Sequence, residues 1–143
     1  MDVDVALLAA QSLGAAVENG LAGAADPAAA WAGRAVEALP ESSCAQYVAG
    51  MVAVGRGEFD QAAGHLERAA VLSPADPRIL HELGVALLVC GDAAAARAPL
   101  ERAVALAPDS VTSWVALGDA CAAIGDDGCV RRAAGGERAA AAG

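Results

Sequence analysis

Residues 77–110, PRILHELGVALLVCGDAAAARAPLERAVALAPDS, decide the fold of this chain. Asp76-Pro77 predicts the start of a helix, because Pro has the backbone angle of a first helical turn and its missing N–H is not needed there. Leucines at three- and four-residue steps follow and form one apolar stripe. Gly91-Asp92 predicts a turn and the cap of a second helix, Ala93–Leu106, which ends before Pro108. The stretch therefore predicts a helical hairpin.

The landmarks of this hairpin recur along the chain at intervals of 34 residues. The turn glycine, a glycine inside the first helix and the closing proline are repeated, as Gly23, Gly57, Gly91 and Gly125, as Gly50, Gly84 and Gly118, and as Pro40, Pro74 and Pro108. Leu66-Glu67-Arg68-Ala69 reappears as Leu100-Glu101-Arg102-Ala103. A fixed period of this length is typical of stacked repeats, in which each hairpin buries its apolar side against a neighbour. The period predicts an all-α protein of about three to four stacked hairpins.

The period divides the chain into four segments. These are a degenerate N-terminal repeat at 1–42, complete repeats at 43–76 and 77–110, and a partial C-terminal repeat with a frayed tail at 111–143. In the first segment we predict a helix from Val5 to about Leu21 and a second from Ala28 to Leu39, with Asp26-Pro27 as its cap and first residue. In the last segment we expect Gly135-Gly136 to interrupt the second helix.

Composition limits the classes of partner. The formal net charge is −9, from 18 acidic residues against nine arginines. Nucleic acid and anionic membranes both require basic patches, so this charge argues against both. No apolar run reaches the ~18 residues of a membrane-spanning helix. The acidic start, Met1-Asp2-Val3-Asp4, is unlike a secretory signal, and we expect a cytoplasmic protein with reduced thiols.

No catalytic or cofactor site stands out. The glycines follow the repeat and do not form a phosphate-binding loop, and the four cysteines lack metal-ligand spacing, so we predict no enzyme activity, no metal and no cofactor. Cys121 and Cys129 flank the last turn and are expected to approach each other as a structural thiol pair. The two histidines, His65 and His81, are expected to be ordinary surface or groove residues.

The chain resembles the tetratricopeptide repeat family. The early family element Trp-x2-Leu-Gly is Trp114-Val115-Ala116-Leu117-Gly118, and the turn element is Gly57-Glu58-Phe59. The later elements follow in two consecutive copies, as Ala62, Leu66, Ala69 and Pro74 and as Ala96, Leu100, Ala103 and Pro108. The resemblance covers residues 43–125 well and implies a right-handed α-solenoid.

The resemblance also implies where a partner binds. In this family the first helix of each repeat lines a concave groove. The matching positions that we assign to a partner-binding groove are Tyr47, Met51, Val54, Arg78, His81, Val85, Leu88, Val115 and Asp119. The family's clamp for carboxylate-ended peptides needs Lys, Asn and Arg, whereas Tyr47, Met51 and Glu82 stand here. The preferred hypothesis is therefore a scaffold whose groove binds an apolar helix or extended segment of a protein partner, with Tyr47 and Met51 as anchors.

Two alternatives stay open. The groove residues could instead pack against the chain's own first or last helix, or against a second copy in a homodimer. Arrays of this kind also precede catalytic domains in bacterial sulfotransferases and glycosyltransferases, where the repeats position a protein substrate. The irregular sequence after Gly125 fits a segment of such a larger enzyme.

Overall fold

The structure of this chain is a computed structural model that describes residues 25–143, with side chains described from residue 30. These residues form seven helices and no strand, as the all-α prediction requires. The helices are α1 (Ala25–Ala38), α2 (Ser43–Gly55), α3 (Phe59–Leu72), α4 (Pro77–Val89), α5 (Ala93–Leu106), α6 (Val111–Ile124) and α7 (Asp127–Ala142). The predicted helix from Val5 to Leu21 lies outside the described residues.

The helices belong to two compact units, unit 1 (Met1–Pro74) and unit 2 (Ala75–Gly143). In unit 1, α2 packs against both α1 and α3. In unit 2, α4 packs against α5, α5 against α6, and α6 against α7, while α4 also contacts α6. Among the described helices, none is long and apolar enough to cross a membrane.

Short polar side chains start most of these helices. The carboxylate of Asp76 accepts a hydrogen bond from the backbone N–H of Arg78, with Pro77 at the first helical position, as predicted. Asp92 and Asp126 accept from the N–H groups of Ala95 and Cys129, each at 3.0 Å. The predicted start of α1 is wrong, because that helix begins at Ala25, before Asp26, and ends at Ala38.

Two sets of glycines shape the hairpins, one at the turns and one where paired helices cross. Gly57, Gly91 and Gly125 have positive φ angles of 77°, 86° and 78° at the turns, a conformation that glycine adopts without steric cost. Gly50 and Gly84 let paired helices approach closely. A Cβ atom on Gly50 would lie 2.8 Å from Leu66 Cγ, and one on Gly84 would overlap the side chain of Leu100.

The prediction that Gly135-Gly136 interrupts the last helix is wrong, since α7 continues to Ala142. A Cβ atom on Gly136 would overlap the indole ring of Trp114. The Trp114 Nε1–H donates a hydrogen bond to the carbonyl oxygen of Pro108 at 2.8 Å and so holds the ring in place. The absence of a side chain at Gly136 therefore leaves room on α7 for this ring. Contact with the ring offsets the unfavourable helix propensity of glycine.

Cys121 and Cys129 approach each other as expected, but the structure joins them in a disulfide, so the expectation of reduced thiols is wrong for this pair. Cys121 lies in the last turn of α6 and Cys129 in the first turn of α7, with Cα atoms 5.6 Å apart. Both side chains belong to the buried core of unit 2, together with Leu100, Leu117 and Ala133.

Candidate partner-binding surface

Unit 1 contributes three of the predicted groove residues, all on α2. Tyr47, Met51 and Val54 are each partly exposed, whereas Val48 and Val52 on the same helix are buried. A rotation of about 100° per residue places the three groove residues on one face of the helix. The three predicted groove residues therefore share the partly exposed face of α2.

Unit 2 contributes the other six, on α4 and α6. None of Arg78, His81, Val85, Leu88, Val115 and Asp119 is buried. Val85 and Leu88 also pack partly against the core of unit 2, so a change at either affects stability as well as the surface. Val115 is 40% exposed.

A hydrogen-bonded chain joins α4 to α6 at this surface. The Ser113 hydroxyl lies 3.0 Å from Nδ1 of His81, and it accepts a hydrogen bond from the Ser110 hydroxyl, also at 3.0 Å. Because Ser113 Oγ accepts from Ser110, its own hydrogen is available to donate to His81. Sequence reasoning missed Ser113, although its place three residues after the helix-capping Ser110 was a usable signal.

This serine–histidine pair does not have the accessibility of a nucleophile and its base. Ser113 is only 4% exposed and lies in the first turn of α6, where a substrate carbonyl has no access. His81 and Ser113 instead connect α4 to α6. The pair therefore fixes the position of one groove residue.

Arg78 is the cationic side chain of the predicted surface. Its guanidinium forms an ion pair with Asp76 at 3.3 Å, and its side chain is 77% exposed. Partial burial acts to raise the pKa of Asp76, but the hydrogen bonds and charge of Arg78 outweigh it and hold that pKa below its usual value. Asp76 therefore stays ionised near neutral pH and keeps both the helix cap and the ion pair.

The described residues contain no cluster of His, Cys, Asp or Glu that could hold a metal ion. Among the polar side chains of the candidate surface, Arg78 pairs with Asp76, and His81 links α4 to α6 through Ser113. The chemistry that this surface offers is therefore contact with apolar groups, together with one cation at Arg78 and one anion at Asp119.

Comparison with known structures gives the fold a second, independent basis. A mutant of MamA superimposes with a TM-score of 0.80 at 23% identity, over 98% of this chain and 78% of that chain. MamA MSR-1 gives a TM-score of 0.75 at 25% identity, over 98% of this chain and 75% of that chain. A mutant O-GlcNAc transferase from Thermobaculum terrenum gives 0.69 at 23% identity, over 85% of this chain but only 23% of that chain.

Sequence comparison identifies the repeat. No curated protein matches the chain. A sequence model described as "Tetratricopeptide repeat" matches residues 47–111 and 91–127, which together are more than half of the chain. With the all-helical hairpins and the turn glycines in register, this match shows that the chain belongs to the tetratricopeptide repeat family.

Proposed function

We propose that the chain is a non-catalytic scaffold that binds an apolar helix or extended segment of a protein partner along the first helices of its repeats. Membership of the tetratricopeptide repeat family supports a general role as a protein-interaction scaffold. The finer part assigns the partner to the nine groove residues, in the concave groove that such repeats form.

One observation carries the assignment. Six of the nine positions are apolar and none is buried, although their neighbours on the same helices form the cores of the two units. Large apolar side chains left accessible in register from repeat to repeat are the anchors that an amphipathic partner needs. Tyr47 and Met51 are the largest on α2, and Tyr is enriched among the residues that dominate binding energy.

The test compares capture by two matched variants of the full chain. The first carries Tyr47→Ala and Val115→Ser, at one groove position in each unit. The second carries Val71→Ser on α3, a valine that is 80% exposed and lies outside the groove positions. Proteins retained from the source lysate are quantified, and the affinity of each retained protein for the purified chains is then measured.

We expect Tyr47→Ala with Val115→Ser to weaken the affinity of a true partner at least about tenfold, because two anchors are removed. Val71→Ser should leave it unchanged. Equal affinity of the groove variant and the intact chain, with matching helical circular dichroism, would contradict the proposal. A dimer by light scattering that the groove variant dissociates would assign the same residues to self-association instead.

A second function is favoured by the match to the O-GlcNAc transferase, of which the chain covers 23%. Here the repeats are the substrate-recruiting module of a larger glycosyltransferase- or sulfotransferase-like enzyme. Sequencing the source DNA across codon 143 distinguishes the two functions. A catalytic domain in the same reading frame would support the enzyme module, and a stop codon at that point would count against it.

A further inference from the structure

Unit 1 contains a cleft of about 280 Å³ that the groove does not include. It lies between α1 and α3, with α2 as its floor. The floor is apolar and made of small side chains, chiefly Ala32 from α1 and Ala49, Val52 and Ala53 from α2. Glu37, Arg56 and Glu58 line its rim.

The cleft is on the other side of α2 from the groove residues. At about 100° per residue, Tyr47, Met51 and Val54 cluster around one direction, and Ala49, Val52 and Ala53 around the opposite one. A ligand in the cleft therefore contacts a different face of α2 from a partner in the groove. The two sites can be tested separately.

Unit 2 shows what the cleft lacks. Two repeat periods beyond Ala32 and Ala49 stand Leu100 and Leu117, which are 0% and 4% exposed in the core of unit 2. Leu has three more carbon atoms than Ala, so the two alanines lower the floor of the cleft, while Val52 and His65, which stand where unit 2 has Ala120 and Ala133, form its sides. An apolar cavity of about 150 Å³ is sufficient to bind benzene, and the cleft exceeds that volume.

The rim favours a cation beside that ring. Arg56 and Glu58 form an ion pair at 3.3 Å with about a third of each side chain exposed, which leaves the carboxylate of Glu37 as the net charge of the rim. His65 adds no positive charge at neutral pH, since burial, helped by the charge of Arg68, holds its pKa below the usual value. Its Nδ1 lies 3.0 Å from Oε1 of the buried Gln46, whose amide nitrogen in turn donates to the Pro40 carbonyl at 3.3 Å.

We propose that this cleft binds the phenyl ring of a phenylalanine side chain from a protein partner, with a neighbouring Lys or Arg of that partner paired to Glu37. The ring packs on the apolar floor formed by Ala32, Ala49, Val52 and Ala53. The basic neighbour matches the negative rim and the net charge of −9 of the whole chain. The cleft is thus a second docking site, which recognises an aromatic residue next to a basic residue.

The first experiment titrates capped synthetic peptides into the ¹⁵N-labelled full chain and follows backbone amide shifts by NMR. The peptides contain Phe-Arg, Ala-Arg or Phe-Glu in an otherwise identical glycine-serine sequence. We expect Phe-Arg to shift the amides of Ala49, Val52 and Ala53, and to bind at least about fivefold more tightly than either control. Absence of these shifts, or equal binding of Phe-Arg and Ala-Arg, would overturn the proposal.

The second experiment fills the cleft with the side chain that unit 2 uses. Ala32→Leu should reduce Phe-Arg binding at least about tenfold, whereas Ala30→Leu, which adds the same atoms at an exposed position of α1, should leave it unchanged. Equal binding by both variants would contradict the cleft as the site. If Ala32→Leu does not fold, Glu37→Arg at the exposed rim is used instead. This variant should bind Phe-Glu more tightly than Phe-Arg, the reverse of the intact chain. An unreversed preference would overturn the role of the rim charge.

Discussion

The two units use one repeat pattern to build differently filled interiors. In unit 2, Leu100 and Leu117 close the space around Cys121 and Cys129. In unit 1, the residues two periods earlier are alanines, and the corresponding space is open. Other lining positions differ as well, since Val52 and His65 stand where unit 2 has Ala120 and Ala133, so the placement of the side chains, and not their total volume, separates the closed core from the cleft. The repeat pattern predicts the fold of a hairpin but not how well it is packed.

The largest expected effect on stability comes from truncating a core side chain of unit 2. Leu100 is fully buried, so Leu100→Ala should lower the free energy of unfolding by about 2–5 kcal/mol, through lost apolar burial and the cavity left behind. Urea unfolding followed by circular dichroism measures this. Leu106→Ala, at a leucine that is 46% exposed, is the control and should change stability much less. A loss below about 1 kcal/mol for Leu100→Ala would mean that unit 2 closes over the gap.

Reduction of the disulfide should have the next largest effect. Cys121 and Cys129 occupy the positions of Ala53 and Gln61 in unit 1, so the covalent link is a property of unit 2. A disulfide that closes so short a loop stabilises by about 2.5 kcal/mol in the chain-entropy account. Cys129→Ser removes the link and places a hydroxyl group in the core, so it should lower the stability of the oxidised chain by at least that amount. The stability of this variant should not respond to dithiothreitol, and a response equal to that of the intact chain would refute the assignment.

Adding a methyl group at the helix crossings should have a smaller effect, graded by distance. Gly84→Ala should cost about 1–3 kcal/mol, because its Cβ would overlap Leu100. Gly50→Ala should cost less, since its Cβ would lie 2.8 Å from Leu66 Cγ. Gly64→Ala on α3, with no atom within 4 Å of the added Cβ, should stabilise by up to about 1 kcal/mol. Thermal unfolding of the three variants gives the order, and an equal loss in all three would show that helix propensity, not contact, decides.

The smallest effect should be a pH dependence that belongs to unit 1. Burial, helped by the charge of Arg68, holds the pKa of His65 below its usual value, so the unfolded chain binds a proton more readily than the folded chain. The stability contributed by neutral His65 is therefore complete above about pH 6.5, the ordinary value for His, and is lost as the pH falls through the range below it. Unfolding measured at pH 7.5 and at lower pH should show this loss in the intact chain. His65→Gln should reduce it; an unchanged slope would assign the dependence to other groups.

Much of the fold could be predicted from the sequence because the deciding residues act locally. Gly57, Gly91 and Gly125 mark turns wherever they occur, and Asp76-Pro77 marks a helix start. The length of α7 could not be predicted in this way. Gly136 is unfavourable in an isolated helix, and only its contact with Trp114, more than 20 residues away in sequence, shows why the helix continues through it.

The surface could be predicted less completely than the fold. The repeat register places Tyr47 and Val115 at equivalent positions, and both are at least partly exposed, but their role in binding stays a prediction. The cleft could not be predicted from the sequence of unit 1 alone, because a run of alanines in a helix does not distinguish a tight helix crossing from a gap. A comparison of Ala32 and Ala49 with Leu100 and Leu117 in register was the signal that could have revealed it.

The positions of the tryptophans have a practical consequence. The chain has two, and each unit holds one of them. The Arg34 guanidinium lies 5.3 Å from the centre of the Trp31 ring in unit 1, while Trp114 in unit 2 is held by its hydrogen bond to the Pro108 carbonyl. Each unit therefore carries its own intrinsic fluorophore in a distinct environment. Replacing one indole at a time with phenylalanine turns the emission spectrum into a separate record of each half of the molecule, without any attached dye.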